Sequence, residues 1–165
     1  MDTRALSLHH VFQLDTRLFL NCLDEVSDEI ARWRPGEHSN NMAFIALHLH
    51  ETRHYLGKYV GVDEPDPFAA ITAPARGIED IDVYPSLAEM RTAWMEISLA
   101  IEPGFAALTA ARLDRQLPAD APDFPVNDNT LLGALTFLLQ HEGFHLGQLA
   151  YLRKLAGLPA MSWHP

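Results

Sequence analysis

The apolar residues of this chain recur with a period near 3.6 in four long segments, and this pattern limits the folds that it can adopt. In residues 3–32 the repeat is carried by Leu8, Phe12, Phe19, Leu23, Val26 and Ile30. Similar repeats occupy residues 42–59, 86–101 and 128–156. No segment of any length alternates with period 2, which is the pattern of half-buried strands. The sequence therefore predicts an all-α protein built as a four-helix bundle.

Helix-breaking and helix-capping residues mark the ends of the predicted helices. Pro35 and Gly36 follow the first helix and are expected to end it there. Ser86 and Glu89 have the spacing of a capping box at the start of the third helix. Pro103 is expected to kink or end that helix, because proline lacks the backbone N–H that a helix interior requires.

Residues 61–85 contain four prolines and show little periodicity, which predicts a long surface connection between the second and third helices. A connection of this length favours a crossover rather than a plain up-down-up-down order. The chain length suits one compact unit, so we predict a single domain over residues 1–165.

Composition excludes several classes of partner. The 165 residues include 12 basic and 22 acidic side chains, a formal net charge of -10, which disfavours nucleic acid and anionic membrane surfaces. The single Cys22 cannot form an internal disulfide, and it is interpreted as a small buried thiol. The sequence contains no apolar run long enough for a membrane span and no secretory signal. A cytoplasmic protein is therefore expected.

The fourth predicted helix contains two histidines at a metal-binding spacing. His141 and His145 lie four residues apart, so their side chains project about 40° apart from nearly the same helix face. Two imidazoles on one apolar stripe must both find partners in a small volume, and a shared cation satisfies both. Gln148 falls within about 20° of His141, where it is expected to orient a ligand imidazole by a hydrogen bond.

The second predicted helix offers His48, His50 and His54 as a further ligand. His48 belongs to the apolar stripe, whereas His50 and His54 align with Glu51 on the more polar face. His48 is therefore the inward candidate. Together with His141 and His145 it would bind one divalent ion per chain, with Zn²⁺, Ni²⁺ and Fe²⁺ as alternatives, and leave coordination positions open for catalysis.

Three other kinds of protein contain parts of the same pattern. His141-Glu-Gly-Phe-His145 matches the H-E-x-x-H string of zinc proteases, but the chain lacks the expected third ligand downstream. Glu51-x-x-His54 and Glu142-x-x-His145 are the E-x-x-H pairs of a ferritin-like di-iron bundle, which also needs inward glutamates on the remaining helices. A helical binding or dimerisation module without metal would contain buried histidines only.

The chain resembles the DinB-like superfamily, which includes YfiT-type proteins and thiol-dependent transferases. The motifs that carry the resemblance are Ala46-Leu-His-Leu49, Leu113-Asp-Arg115, His141-x-x-x-His145-x-Gly-Gln148, Tyr151-Leu-Arg153 and Leu155-Ala-Gly157. The resemblance implies a four-helix bundle with a crossover, a divalent metal on His48, His141 and His145, and a homodimer. It further implies a metal-dependent hydrolase or an enzyme that uses a low-molecular-weight thiol.

Glu142 is the candidate catalytic residue, as a proton acceptor beside the metal. It lies about 60° around the helix from His145, and the alternative is a charge that is solvated or that interacts with a neighbour on the helix. The expected substrate is a small molecule, and a low-molecular-weight thiol is a candidate for it.

Overall fold

The computed structural model describes residues 2–164, which form seven α-helices and one short 3₁₀ helix. Four helices are long: α1 (Thr3–Cys22), α3 (Met42–Val60), α5 (Leu87–Ala106) and α7 (Leu131–Leu155). The short ones are α2 (Asp28–Arg32), α4 (Ala69–Thr72), α6 (Ala110–Leu113) and the 3₁₀ helix Ile78–Asp80. The described residues contain no strand, so the prediction of an all-helical protein is confirmed.

Each long helix packs mainly against two others, because α1 and α3 both contact α5 and α7. His50 of α3 contacts Met90 of α5, and Val60 lies beside Gly104. The contacts advance in the same direction along both helices, so α3 and α5 run parallel. Residues 61–86 accordingly return along the length of the helices, and they contain α4 and the 3₁₀ helix.

The first helix is shorter than the sequence pattern predicted. Residues 3–32 were expected to form one helix, but α1 ends at Cys22 and α2 begins at Asp28. Glu25 between them has a φ of 58°, in the left-handed region that a continuous right-handed helix excludes. Ser27 then caps α2 by accepting a hydrogen bond from the backbone N–H of Ile30. The apolar repeat continues across this break, since Leu23 and Ala31 both remain in the core.

The third long helix, α5, continues through Pro103 and ends at Ala106. The prediction allowed either a kink or an end at Pro103, and an end at that residue was wrong. The capping box predicted at its start is present, with Ser86 and Glu89 bonded in both directions. Gly104 allows the close approach of α3, because a Cβ at this position would lie 2.8 Å from a methyl group of Val60.

The interior contains two apolar clusters with polar residues between them. One cluster includes Leu49 and Leu146, and the other includes Leu56 and Leu139. The buried polar residues between these positions are Asp15, Arg53, Ser98 and Glu142. Among the described residues, no helix is long and apolar enough to cross a membrane.

Candidate metal centre

The structure brings together three histidines from two helices. The Nε2 atom of His141 lies 3.3 Å from that of His48 on α3 and 3.0 Å from that of His145, one turn further along α7. All three rings offer a nitrogen within 4.8 Å of the others. Zn–N bonds of about 2.0–2.1 Å place neighbouring nitrogens of a tetrahedral site roughly 3.3 Å apart. The observed separations are therefore close to those that a single ion requires.

Acceptor oxygens beside the other ring nitrogens direct lone pairs into the cluster. Oε1 of Gln148 lies 2.8 Å from Nδ1 of His145, and Oε2 of Glu51 lies 3.5 Å from Nδ1 of His48. Because an amide oxygen and a carboxylate both accept, these nitrogens carry the protons, and each Nε2 presents a lone pair. The sequence predicted the position of Gln148 but missed Glu51, which lies three residues after His48.

His141 cannot satisfy both of its neighbours by hydrogen bonding. A proton on its Nε2 can be donated well to only one of the two facing lone pairs. A proton on its Nδ1 has no acceptor, because that atom is buried without a partner among the described residues. A divalent cation in contact with all three Nε2 atoms removes the conflict, so the donor set fits a metal ion.

The surroundings of His141 and His145 favour the neutral form of both imidazoles. Desolvation lowers the pKa of His141 to about 4, and the charges of His145 and His48 add to the effect. Desolvation also lowers the pKa of His145, against the opposing effect of the hydrogen bond that this imidazole donates to Gln148. Neutral imidazoles are the form that binds metal, so these two rings favour the form that an ion requires.

A family comparison agrees with this geometry. A model of the DinB superfamily matches residues 12–149, which include all three histidines. The chain belongs to the DinB superfamily. No curated protein matches the chain.

Two histidines on α3 of this DinB protein do not lie where the sequence pattern predicted. His50 and His54 were placed on a polar face, but both are buried. Nε2 of His50 bonds to the carbonyl of Met90 at 2.7 Å, and Nδ1 of His54 donates to the carbonyl of Glu64 at 3.1 Å. The prediction was wrong because α3 packs against α5, α7 and the 61–86 connection together, so it has more than one buried face.

His48 was predicted to face inward, and its side chain is 30% exposed. His141 and His145 are also only half-buried. The three rings therefore lie at the edge of the core, where a small molecule can reach them. An exposed site suits catalysis better than a structural ion, which is normally enclosed by four protein ligands.

Glu142 is buried against Arg53 of α3. Its two oxygens accept hydrogen bonds of 2.7 Å from Nε and Nη2 of Arg53, and only 1% of the residue is exposed. The alternative of a solvated surface charge was therefore wrong. Because the guanidinium engages both oxygens, this geometry does not favour the predicted role of Glu142 as a proton acceptor.

Arg53 has further partners that hold it in one position. Its guanidinium lies 4.3 Å from the ring centroid of Phe12 and 4.0 Å from that of Trp94, both within the range of cation–π contacts. Nη1 donates to the hydroxyl of Thr16 at 2.8 Å. The sequence analysis missed this residue. The signal that could have found it is that Arg53 interrupts the apolar stripe of α3, as Glu142 interrupts the stripe of α7.

The ferritin-like alternative is not favoured by the positions of its four residues. Glu142 pairs with Arg53, and His54 bonds to a backbone carbonyl. Among residues 2–164, the grouping of three or more His, Cys, Asp or Glu side chains that could hold an ion is His48, His141 and His145. A di-iron site would need glutamates there as well.

A cavity of about 290 Å³ lies beside the histidines, between α3 and the 61–86 connection. His48 and His145 form part of its wall, so the metal centre faces this space. Its other lining residues are Phe44, Leu47, Glu51, Thr72, Ala75, Arg76, Gly77 and Ile81. The volume is close to the lower limit of typical small-molecule sites.

Proposed function

We propose that this protein is a metal-dependent enzyme that binds one divalent ion through His48, His141 and His145. The observation that supports the proposal is the convergence of three Nε2 atoms beside a cavity. Zn²⁺, Ni²⁺ and Fe²⁺ are all compatible with three imidazoles, so the proposal leaves the metal among these three.

When bound, a divalent ion supplies Lewis acidity and lowers the pKa of a water molecule or a thiol, so that a nucleophile is available at neutral pH. The protein contributes the arrangement around it. Gln148 and Glu51 hold the rings of His145 and His48 at their Nδ1 atoms, which fixes the tautomers and the directions of both Nε2 lone pairs. Arg53 and Glu142 join α3 to α7 next to these ligands.

The reaction is either hydrolysis of a small molecule or transfer of a low-molecular-weight thiol to it. Membership of the DinB superfamily and the half-buried site support both. Turnover of a panel of ester, amide and alkyl-halide substrates should be measured with and without added thiol, with metal-loaded wild-type protein and the His145→Ala variant. Hydrolysis without thiol identifies a hydrolase, and strict thiol dependence identifies a transferase. Metal and small-molecule binding without either activity would instead favour a non-catalytic binding module.

We propose that the four long helices form a four-helix bundle with its crossover between α3 and α5. The parallel contacts of α3 with α5 support this arrangement. The antiparallel contacts of α3 with α7, where His48 meets His145 and Arg53 meets Glu142, support it too.

We also propose a homodimer formed through α7. Tyr151 and Leu155 lie about 40° apart on this helix, and 64% and 44% of these residues are exposed. Large exposed apolar side chains on one helix face are typical of an interface between subunits. Light scattering should find a dimer that the double change Tyr151→Ser and Leu155→Ser converts to a monomer, while Val83→Ser in the 61–86 connection leaves it unchanged. A wild-type monomer would contradict the proposal.

A further inference from the structure

The cavity beside the histidines is lined by apolar side chains and by one positively charged side chain. Phe44 and Leu47 of α3 and Ile81 of the connection provide apolar surface. Arg76, an exposed residue in the connection, contributes a positive charge to the lining. A cavity that combines apolar walls with a positive side chain favours a ligand that has an apolar portion and an anionic group.

Nearby acidic residues do not neutralise Arg76. Glu79 pairs with Arg34 at 2.8 Å, and Glu51 lies 3.5 Å from Nδ1 of His48. Asp80 accepts a hydrogen bond of 2.7 Å from the backbone N–H of Arg76, which holds the loop but does not engage the guanidinium. Within residues 2–164, the side chain of Arg76 therefore forms no ion pair.

We propose that Arg76 binds a carboxylate of the substrate, so that the substrate class is a small carboxylic acid with an apolar portion. This inference rests on the proposed function, because it concerns a molecule that occupies the same cavity. A planar guanidinium can bind a carboxylate through two parallel hydrogen bonds, which fixes the orientation of the ligand as well as its position.

The charge of Glu51 determines where that carboxylate can lie. Glu51 also lines the cavity, and its Oε2 lies 3.5 Å from Nδ1 of His48. A ligand carboxylate next to it would be repelled, whereas Arg76 attracts it. The apolar portion then contacts Phe44, Leu47 and Ile81, and the remaining end of the molecule faces His48 and His145.

Calorimetric titration with two matched probes tests the inference. 3-Mercaptopropionate and 3-mercaptopropionamide have the same length and the same thiol, and they differ in the charged group. We expect the carboxylate to bind roughly three- to tenfold more tightly than the amide. Arg76→Gln should abolish this preference, and Arg76→Lys should restore part of it. Arg115→Gln removes an exposed charge that is not part of the cavity lining, and should leave the preference unchanged.

Titrations of metal-loaded and metal-free protein separate this inference from the proposed function. If the wild-type protein binds no metal, the proposed function fails, while a carboxylate preference that is lost in Arg76→Gln would still support a role for Arg76. If metal binds but the two probes bind equally, or Arg76→Gln keeps the preference, the role of Arg76 is overturned alone.

Discussion

Hydrogen bonds at single residues determine which nitrogen of each candidate ligand is free. Oε1 of Gln148 accepts from Nδ1 of His145 at 2.8 Å, which leaves Nε2 of that ring to face His141. Without this acceptor, the ring of His145 could rotate or change tautomer. We therefore expect metal affinity to depend on Gln148, which is outside the proposed ligand set.

Replacement of Gln148 by Ala should weaken metal binding by about 10- to 100-fold, because the imidazole loses the partner that orients it. Gln148→Glu keeps an acceptor at the same place and should bind metal nearly as well as wild type. Gln140 lies on the same helix and is exposed, so Gln140→Ala is the matched control. Affinities measured by competition with a chelator would show the differences. Equal affinities of Gln148→Ala and Gln140→Ala would contradict the prediction.

Asp15 is buried near the Arg53–Glu142 pair, and its Oδ2 has no hydrogen-bond partner among the described residues. Desolvation and the charge of Glu142 raise the pKa of Asp15 to about 7, against the opposing effect of Arg53. The native protein thus keeps a proton on this carboxyl at a pH where the unfolded chain, with a pKa near 3.9, has lost it. The contribution of this bound proton to the free energy of unfolding is fully present below about pH 4.

As the pH rises towards 7, this contribution is lost, so the free energy of unfolding of the wild-type protein should fall. Between pH 5 and 8 we expect it to fall by roughly 2–3 kcal/mol relative to Asp15→Asn, which has no proton to lose. Urea unfolding of the metal-free proteins at several pH values measures the difference. Parallel pH profiles for the two proteins would contradict the raised pKa.

At the scale of helices, the Arg53–Glu142 pair joins α3 to α7 near the candidate ligands. Arg53 follows His48 by five residues, and Glu142 lies directly after His141. Both members are buried, and they interrupt the two apolar clusters at the same level. The pair therefore helps to fix the separation of the helices that bring His48 to His141 and His145.

Glu142→Leu should lower the free energy of unfolding by about 3–5 kcal/mol, because it leaves the guanidinium of Arg53 buried without its partner. The double variant Arg53→Met with Glu142→Leu removes both charges and should recover most of this loss. Denaturant unfolding of the wild type, Arg53→Met, Glu142→Leu and the double variant gives the coupling free energy between the two residues. Additive effects of the two substitutions would show that the pair does not act as a unit.

The helices illustrate what local sequence could predict. α3 and α7 were predicted within a few residues of their ends because their apolar repeats are long, and in the structure Asn41 and Thr130 cap their first turns. The break after Cys22 was missed, since the repeat continues across it and Glu25 is not a typical left-handed residue. The three candidate ligands could be chosen from helical spacing. The burial of His50 and the partner of Glu142 could not be predicted from helical spacing, because both depend on which helices pack side by side.

At the scale of the whole molecule, the fold supplies the metal centre through contacts between residues far apart in the sequence. His48 and His141 are 93 positions apart, and they meet because α3 and α7 pack together. The 61–86 connection then covers one side of the site and completes the cavity. Binding of an ion to the native state alone should also stabilise the whole domain.

Metal content per chain is the measurement that tests this account most directly. Wild-type protein, His48→Ala and His50→Ala should be loaded with Zn²⁺, dialysed and analysed for bound metal, with circular dichroism to confirm that each is folded. The account predicts one ion per chain in the wild type and in His50→Ala, and loss of the ion in His48→Ala. Wild-type protein without metal, or a loss confined to His50→Ala, would contradict it.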